Sequence, residues 1–287
     1  MPALRMRDVR FRHDGSSSWA LDGVSVNVEE GEFVAVLGPN GAGKSTFCLL
    51  CNGLAPHAVG GVVEGSIEVF GLDVSKRSVP EMSASVGMVF QEPESQLFCM
   101  SVEEEVAFGP ENLGVPRAEI ADRVEWALEQ VGLKGFNERP PATLSGGQKQ
   151  RAAIAAAISM RPRMLVLDEP AYALDPVGRV ELYSLLRGLV EKHGVTVIVA
   201  EREAEDVAPV CDRMVLLRKG RIARDGPPRE LLREPDLLVG AGVSPPQLSE
   251  LAARLRKRVR GADLSFFTLE EAEREISEKV LSRPGGR

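Results

Sequence analysis

The sequence predicts an α/β fold, a parallel sheet with crossover helices, interrupted by a helical insertion and followed by a small C-terminal helical extension. Three observations carry this. Four short apolar runs, Phe33 to Leu37, Val86 to Phe90, Met164 to Leu167 and Val195 to Ala200, are continuous rather than alternating, as in strands buried on both faces. Stretches of helical spacing separate them, which makes the connections crossovers. An apolar fraction of 44% with few aromatics is that of an ordinary globular protein,.

The remaining elements follow in chain order. Leu4 and Met6 alternate with arginines, and Val9, Phe11 and His13 continue in shifted phase. This predicts an edge strand with a break near Asp8. From Val102 to Leu133 the spacing is helical, with Val124, Leu128 and Val131 set against Arg123, Glu125 and Glu129,. Gly109-Pro110 and Pro116 punctuate that stretch, so it reads as a helical insertion outside the sheet,. Val215 to Ala223 predicts a hairpin turning at Lys219-Gly220,. Pro227-Pro228 and Pro235 mark a joint before a more polar tail. The expected organisation is one domain over 1–235, its helical part at about 92–145, and an extension over 236–287,.

Composition excludes several classes of function. A net charge of −7 argues against a nucleic-acid partner,. Cys48, Cys51, Cys99 and Cys211 form no disulfide-like framework, which suits a reducing cytosol,. Cys48 and Cys51 make a C-x-x-C, but with three histidines in the chain buried thiols are expected rather than a zinc site. Arg5, Arg7, Arg10 and Arg12 interrupt any signal core,. No run approaches the roughly 18 apolar residues of a membrane span. The chain is expected to be soluble and to reach a membrane through a partner.

Gly38-Pro39-Asn40-Gly41-Ala42-Gly43-Lys44-Ser45-Thr46 follows the first buried run directly and matches the P-loop pattern, giving a P-loop NTPase core,. Glycines let backbone N–H groups close around phosphates, and the following helix aims its positive end at them. Lys44 supplies a cation for the β and γ phosphates, and the Ser45 hydroxyl can ligate Mg²⁺. Asp168 and Glu169 end the Met164 run. Asp168 is placed to hold the metal and Glu169 to polarise an attacking water. A chance glycine turn and a simple helix-capping carboxylate are the bland alternatives. The strand-loop-helix context, with both features in one chain, disfavours them.

Leu144-Ser145-Gly146-Gly147-Gln148 opens an alanine-rich helix, so its N–H groups form a second anion site,. Here the chain resembles ABC ATPases, the family in which LSGGQ-type signatures occur. The resemblance implies an antiparallel β subdomain and a helical signature subdomain beside the core. It implies that Ser145, Gly146, Gly147 and Gln148 bind the γ-phosphate of ATP held by an opposite subunit in a head-to-tail dimer. It makes Gln91 a glutamine that touches the metal and senses the membrane partner, and Asp175 of Ala173-Leu174-Asp175 part of a loop crossing the dimer. His13 falls where the family stacks an aromatic on adenine; an exposed strand residue is the equal alternative. The family's switch histidine is replaced by Arg202, which can neutralise phosphate charge but cannot shuttle protons. Weakened rather than absent hydrolysis is the expectation.

Gln91-Glu92-Pro93-Glu94-Ser95-Gln96-Leu97-Phe98 and Val102-Glu103-Glu104-Glu105-Val106-Ala107-Phe108-Gly109-Pro110-Glu111-Asn112-Leu113-Gly114 resemble the ATPases of energy-coupling factor (ECF) and cobalt or nickel importers. That implies ATP and Mg²⁺, a homodimer or heterodimer of ATPases, a transmembrane coupling protein and a substrate-binding membrane subunit. The place of work is then peripheral, at the cytoplasmic face of the cell membrane, and the cargo a vitamin or metal ion chosen by another polypeptide. Glu92 and Glu94 are expected to face basic groups of the coupling protein. The basic run Arg254, Arg256, Lys257, Arg258 and Arg260 reads as a solvated helix face, or, by resemblance, as part of a tail that helps hold two ATPases together. A weakly catalytic or regulatory subunit paired with a different, active ATPase is the second reading. DNA-repair ATPases carry a long coiled coil before the signature, and translation ATPases carry two nucleotide domains; this chain has room for neither.

Overall fold

The computed structural model describes residues 2–259 and 261–281. Arg260 of the basic run and residues 282–287 of the extension lie outside the described residues. Ten strands form two sheets: β1 (Pro2–His13), β2 (Leu21–Glu29), β3 (Phe33–Leu37), β4 (Gly61–Val69), β5 (Leu72–Asp73), β6 (Val86–Val89), β7 (Met164–Asp168), β8 (Thr196–Glu201), β9 (Arg213–Arg218) and β10 (Arg221–Gly226). The larger sheet has the order β10-β9-β3-β8-β7-β6. It is parallel from β9 to β6, with β10 antiparallel at its end. Every residue of β3, β7 and β8 is buried. Successive side chains go to opposite faces: Phe33, Ala35 and Leu37 join the core beneath the helical insertion, while Val34 and Val36 join the core facing the smaller sheet. Both faces are covered, so the runs are continuously apolar, as expected.

The smaller sheet is antiparallel, in the order β2-β1-β4-β5. This corrects one expectation. β1 pairs with β2 on one side and β4 on the other, so it is an interior strand, not an edge. Its alternating arginines mark the solvated face of the sheet, where Arg5 pairs with Glu68 at 3.4 Å and Arg10 with Glu64 at 3.6 Å. The break at Asp8 is present. Asp8 has φ 47°, and the register shifts between Met6 and Val9. Gly65 faces that bulge with φ +86°, where a Cβ would sit 2.4 Å from the Asp8 carbonyl oxygen.

The helical insertion consists of Val102–Asn112 and Arg117–Gln130, packed on the helix Gly146–Ser159. Contrary to the punctuation that Gly109-Pro110 suggests in the sequence, the first helix runs through it. Pro110 removes the N–H that would bond the Val106 carbonyl, and the Ser159 hydroxyl donates to that carbonyl at 2.8 Å instead. The β9–β10 hairpin turns at Lys219 and Gly220, with φ 49° and 74°, as expected of a two-residue turn with both centres left-handed. Cys48 and Cys51 are buried, and the Cys51 thiol donates to the Phe47 carbonyl at 3.2 Å.

Beyond the joint lie the helices Pro235–Ala241, Gln247–Arg258 and Leu269–Ile276, the last two sharing a small core of Ala252, Ala262, Leu264, Phe266 and Ala272. Arg254, Lys257 and Arg258 are exposed. Arg256 is not simply solvated: its guanidinium bonds the carbonyls of Leu264 and Arg233. Among the described residues no helix is long and apolar enough to cross a membrane.

Candidate functional site

β3 delivers the chain into the phosphate loop, and the helix Lys44–Cys51 leads out of it. Gly43 has φ +105°, and a Cβ there would lie 2.5 Å from the Ala20 carbonyl oxygen, so glycine is required by both conformation and space. At Gly38 a Cβ would lie 2.3 Å from the Leu217 carbonyl oxygen, and its N–H donates to the Glu201 carbonyl at 3.2 Å. The loop is also closed within itself, the Ala42 N–H donating to the Pro39 carbonyl at 3.1 Å.

Lys44 is buried, and its Nζ donates to the Gly38 carbonyl at 2.9 Å and the Pro39 carbonyl at 3.4 Å. It also pairs with Glu169 Oε1 at 3.1 Å. The other carboxylate oxygen, Oε2, lies 3.2 Å from Arg202 Nε and accepts from Gln91 Nε2 at 3.4 Å. Glu169 itself has φ 44°, a costly conformation outside glycine, with its N–H donating to the Ala200 carbonyl at 2.9 Å. From this position after β7 the carboxylate reaches Lys44 of the loop. Lys44, Ser45, Gln91, Glu169 and Arg202 line one open cleft of about 420 Å³, together with Asn40, Gly41, Gly43 and Thr46.

Asp168 sits beneath that cleft. Burial pushes its carboxyl pKa upward, while the Ser45 hydroxyl bonded to it and the nearby Lys44 pull the other way. Its Oδ1 is buried without a hydrogen-bond partner. An orphaned carboxylate oxygen beside a serine hydroxyl fits a hard cation such as Mg²⁺, which takes oxygen ligands. His13 is half-buried and shares a 3.1 Å hydrogen bond between its Nε2 and Thr46 Oγ1, next to the loop.

The signature residues are elsewhere. Ser145, Gly146, Gly147 and Gln148 line a second pocket of about 560 Å³ with Asp175. Ser145 and Gln148 form a reciprocal cap: Ser145 Oγ accepts the Gln148 N–H at 3.3 Å and Gln148 Oε1 accepts the Ser145 N–H at 3.0 Å,. Asp175 caps the helix Pro176–His193, accepting the Gly178 N–H at 2.7 Å. One chain therefore carries two separate polar sites, one cationic and one built on a helix start.

Two features escaped the sequence reading. Tyr172 lines the cleft, and the Arg202 guanidinium lies over its ring at 5.4 Å; a tyrosine three residues after Glu169 was the only signal. Glu94, for which the sequence gives only an expected partner surface, is paired within the chain with Lys149 of the signature helix at 2.5 Å. The two residues are 55 apart in sequence, and no local pattern announces their meeting.

A family model described as ABC transporter matches residues 21–172. The chain is 43% identical over 282 residues, 98% of its length and all of the relative's, to a Pyrococcus abyssi protein named as an ABC transporter ATP-binding protein. It is 39% identical to the energy-coupling factor transporter ATP-binding protein EcfA of Methanocaldococcus jannaschii, covering 96% of this chain and 97% of that one. Among solved structures, cbiO1 of Clostridium perfringens, part of the ABC transporter complex cbiONQ, superposes with a TM-score of 0.74 at 33% identity, covering 87% of this chain and 98% of that one. The similarity to ATP-binding proteins extends over nearly the whole length, and the chain belongs to the ABC transporter family as one of its ATP-binding ATPase subunits.

Proposed function

We propose that the chain powers an ECF-type importer, binding and hydrolysing ATP at composite sites between two ATPase subunits beneath a membrane coupling protein. The carrying observation is the separation of two polar sites on one chain, the Lys44 cleft and the Ser145 pocket. A triphosphate seated on the first would be completed by the second from another subunit. The similarity to EcfA and cbiO1 supports the ECF type, and the proposed cargo is a vitamin or metal ion.

The loop N–H groups and Lys44 receive the β and γ phosphates. Ser45 and Asp168, with Gln91, would hold Mg²⁺, which supplies charge neutralisation between those phosphates when bound. Glu169 accepts a proton from the attacking water. ATP draws two subunits together because only the closed pair contacts it from both sides, and separation of like charges after hydrolysis reopens them. Movement would pass through an apolar groove of about 710 Å³ beside the Gln91 segment, where Phe98 is 65% exposed and Phe108 45%. Such a patch on a surface fits a partner helix. The extension past Pro235 is proposed to help hold two ATPases together.

The second reading, a weakly catalytic subunit paired with a more active one, is favoured by the Arg202–Glu169 contact, which engages the proposed base with a fixed cation.

Complementation tests the composite site. Lys44→Ala and Ser145→Arg chains should each be inactive alone. Mixed, they should recover part of the ATPase rate, because one intact loop then faces one intact signature. No recovery from two folded, dimerising variants would refute shared sites.

A further inference from the structure

Arg202 occupies the cleft with only part of its hydrogen-bonding capacity used. Its Nε is engaged by Glu169 Oε2 at 3.2 Å, and among the described residues no hydrogen bond uses its Nη1 or Nη2. The side chain is 42% exposed. A long, half-exposed arginine of this kind has many rotamers, and one ion pair at Nε leaves its plane free to turn. The Tyr172 ring favours one orientation of that plane, lying 5.4 Å from Cζ in a cation–π arrangement,.

The backbone that carries Tyr172 is tied from behind, while the residue itself is 54% exposed. Its N–H donates to the Glu169 carbonyl at 3.2 Å, and the adjoining Ala171 N–H donates to Glu201 Oε1 at 3.3 Å. Glu201 is buried at the end of β8, immediately before Arg202, and accepts the Tyr183 hydroxyl at 2.8 Å. The turn carrying Tyr172 and the strand end carrying Arg202 are thus joined through one buried carboxylate. The backbones that carry ring and guanidinium are thereby joined, and both residues line the cleft with Lys44 and the loop.

We propose that Tyr172 is a positioning residue that holds Arg202 with its two terminal nitrogens directed to the third phosphate, so that the pair makes this site discriminate ATP from ADP. The inference rests on the ATPase reading above. Guanidinium suits the task, since it is always charged and offers paired donors matching phosphate oxygens. ADP reaches the loop and Lys44 without engaging this arm; a triphosphate engages both. Tyr172 acts only through Arg202. A tyrosine stacked on the adenine base would serve both nucleotides alike.

The experiment measures dissociation constants of the full chain for ADP and for an ATP analogue with a nitrogen bridge between its β and γ phosphates. Arg202→Ala should weaken the analogue by about tenfold or more relative to ADP. Tyr172→Ala should do so by about two- to fivefold, and Tyr172→Phe, which keeps the ring, should restore the wild-type ratio. Tyr172→Ala added to Arg202→Ala should change nothing further. If Tyr172→Ala weakens both ligands equally, or leaves the ratio untouched, the inference fails while the ATPase reading stands. If the unmodified chain binds neither ligand, both fall.

Discussion

Lys149 on the signature helix is ion-paired to Glu94 in the segment after β6, Nζ to Oε1 at 2.5 Å. The pair joins the second polar site to the rim of the apolar groove. Glu94 is 73% exposed in its side chain, so the pair is screened and contributes little to stability. Its expected role is transmission. Lys149→Glu should leave thermal unfolding and nucleotide binding unchanged but lower the ATPase response to the membrane partner; adding Glu94→Lys should restore it. Equal responses in all three proteins would remove that role.

Ser159 substitutes for the N–H that Pro110 lacks. Its hydroxyl serves the Val106 carbonyl at 2.8 Å, sharing the proton with the Ala156 carbonyl at 2.9 Å, and the residue is fully buried. Ser159→Ala should destabilise by about 1–3 kcal/mol in urea unfolding, the cost of a buried unsatisfied carbonyl. In a Pro110→Ala background, where the helical N–H returns, the loss should shrink. An undiminished loss would place the effect elsewhere.

Glu201 sets a pH dependence. Burial pushes its pKa from 4.5 up to about 7, opposed by the Tyr183 hydroxyl and the Ala171 N–H. The folded chain then binds more protons than the unfolded one between those values, so this residue's contribution makes stability fall as pH rises from about 4.5 to about 7. The full effect is on the order of 3 kcal/mol. Glu201→Gln should flatten that part of the profile and gain stability relative to wild type at pH 8 but not at pH 4. An unchanged slope would show the carboxylate to be charged throughout.

Gly242 brings the extension against the phosphate loop. It has φ +83°, and a Cβ there would lie 3.0 Å from Pro39 Cγ. Nearby, Ser244 bridges to Glu203 next to Arg202, and Glu205 caps the helix Gln247–Arg258 by accepting the Gln247 N–H at 2.9 Å. Gly242→Ala should cost about 1 kcal/mol for its conformation and weaken nucleotide binding although the residue lies outside the cleft. Unaltered binding in titration calorimetry would show the two parts to be independent.

The buried strands, the loop after β3 and the signature helix start were legible because each is written locally: five consecutive apolar residues at β3, nine residues of loop, one capped helix start. What the sequence hid depends on partners far away. β1 looked like an edge because an interior strand with one solvated face shows the same alternation. Gly109-Pro110 reads as punctuation of the helical stretch because Ser159, the remedy for Pro110, lies 53 residues from Val106. The Arg202 substitution was visible, but its engagement with Glu169 and Tyr172 depends on β7 and β8 being neighbours in the sheet.

The most direct test of the composite ATPase is the rate of ATP hydrolysis by the purified chain as a function of its own concentration, with Glu169→Gln alongside. Two copies building working sites predict a rate that rises steeply with concentration and is abolished in Glu169→Gln. A flat rate no higher than that of the variant would contradict this, and would mean that the chain alone does not form a motor.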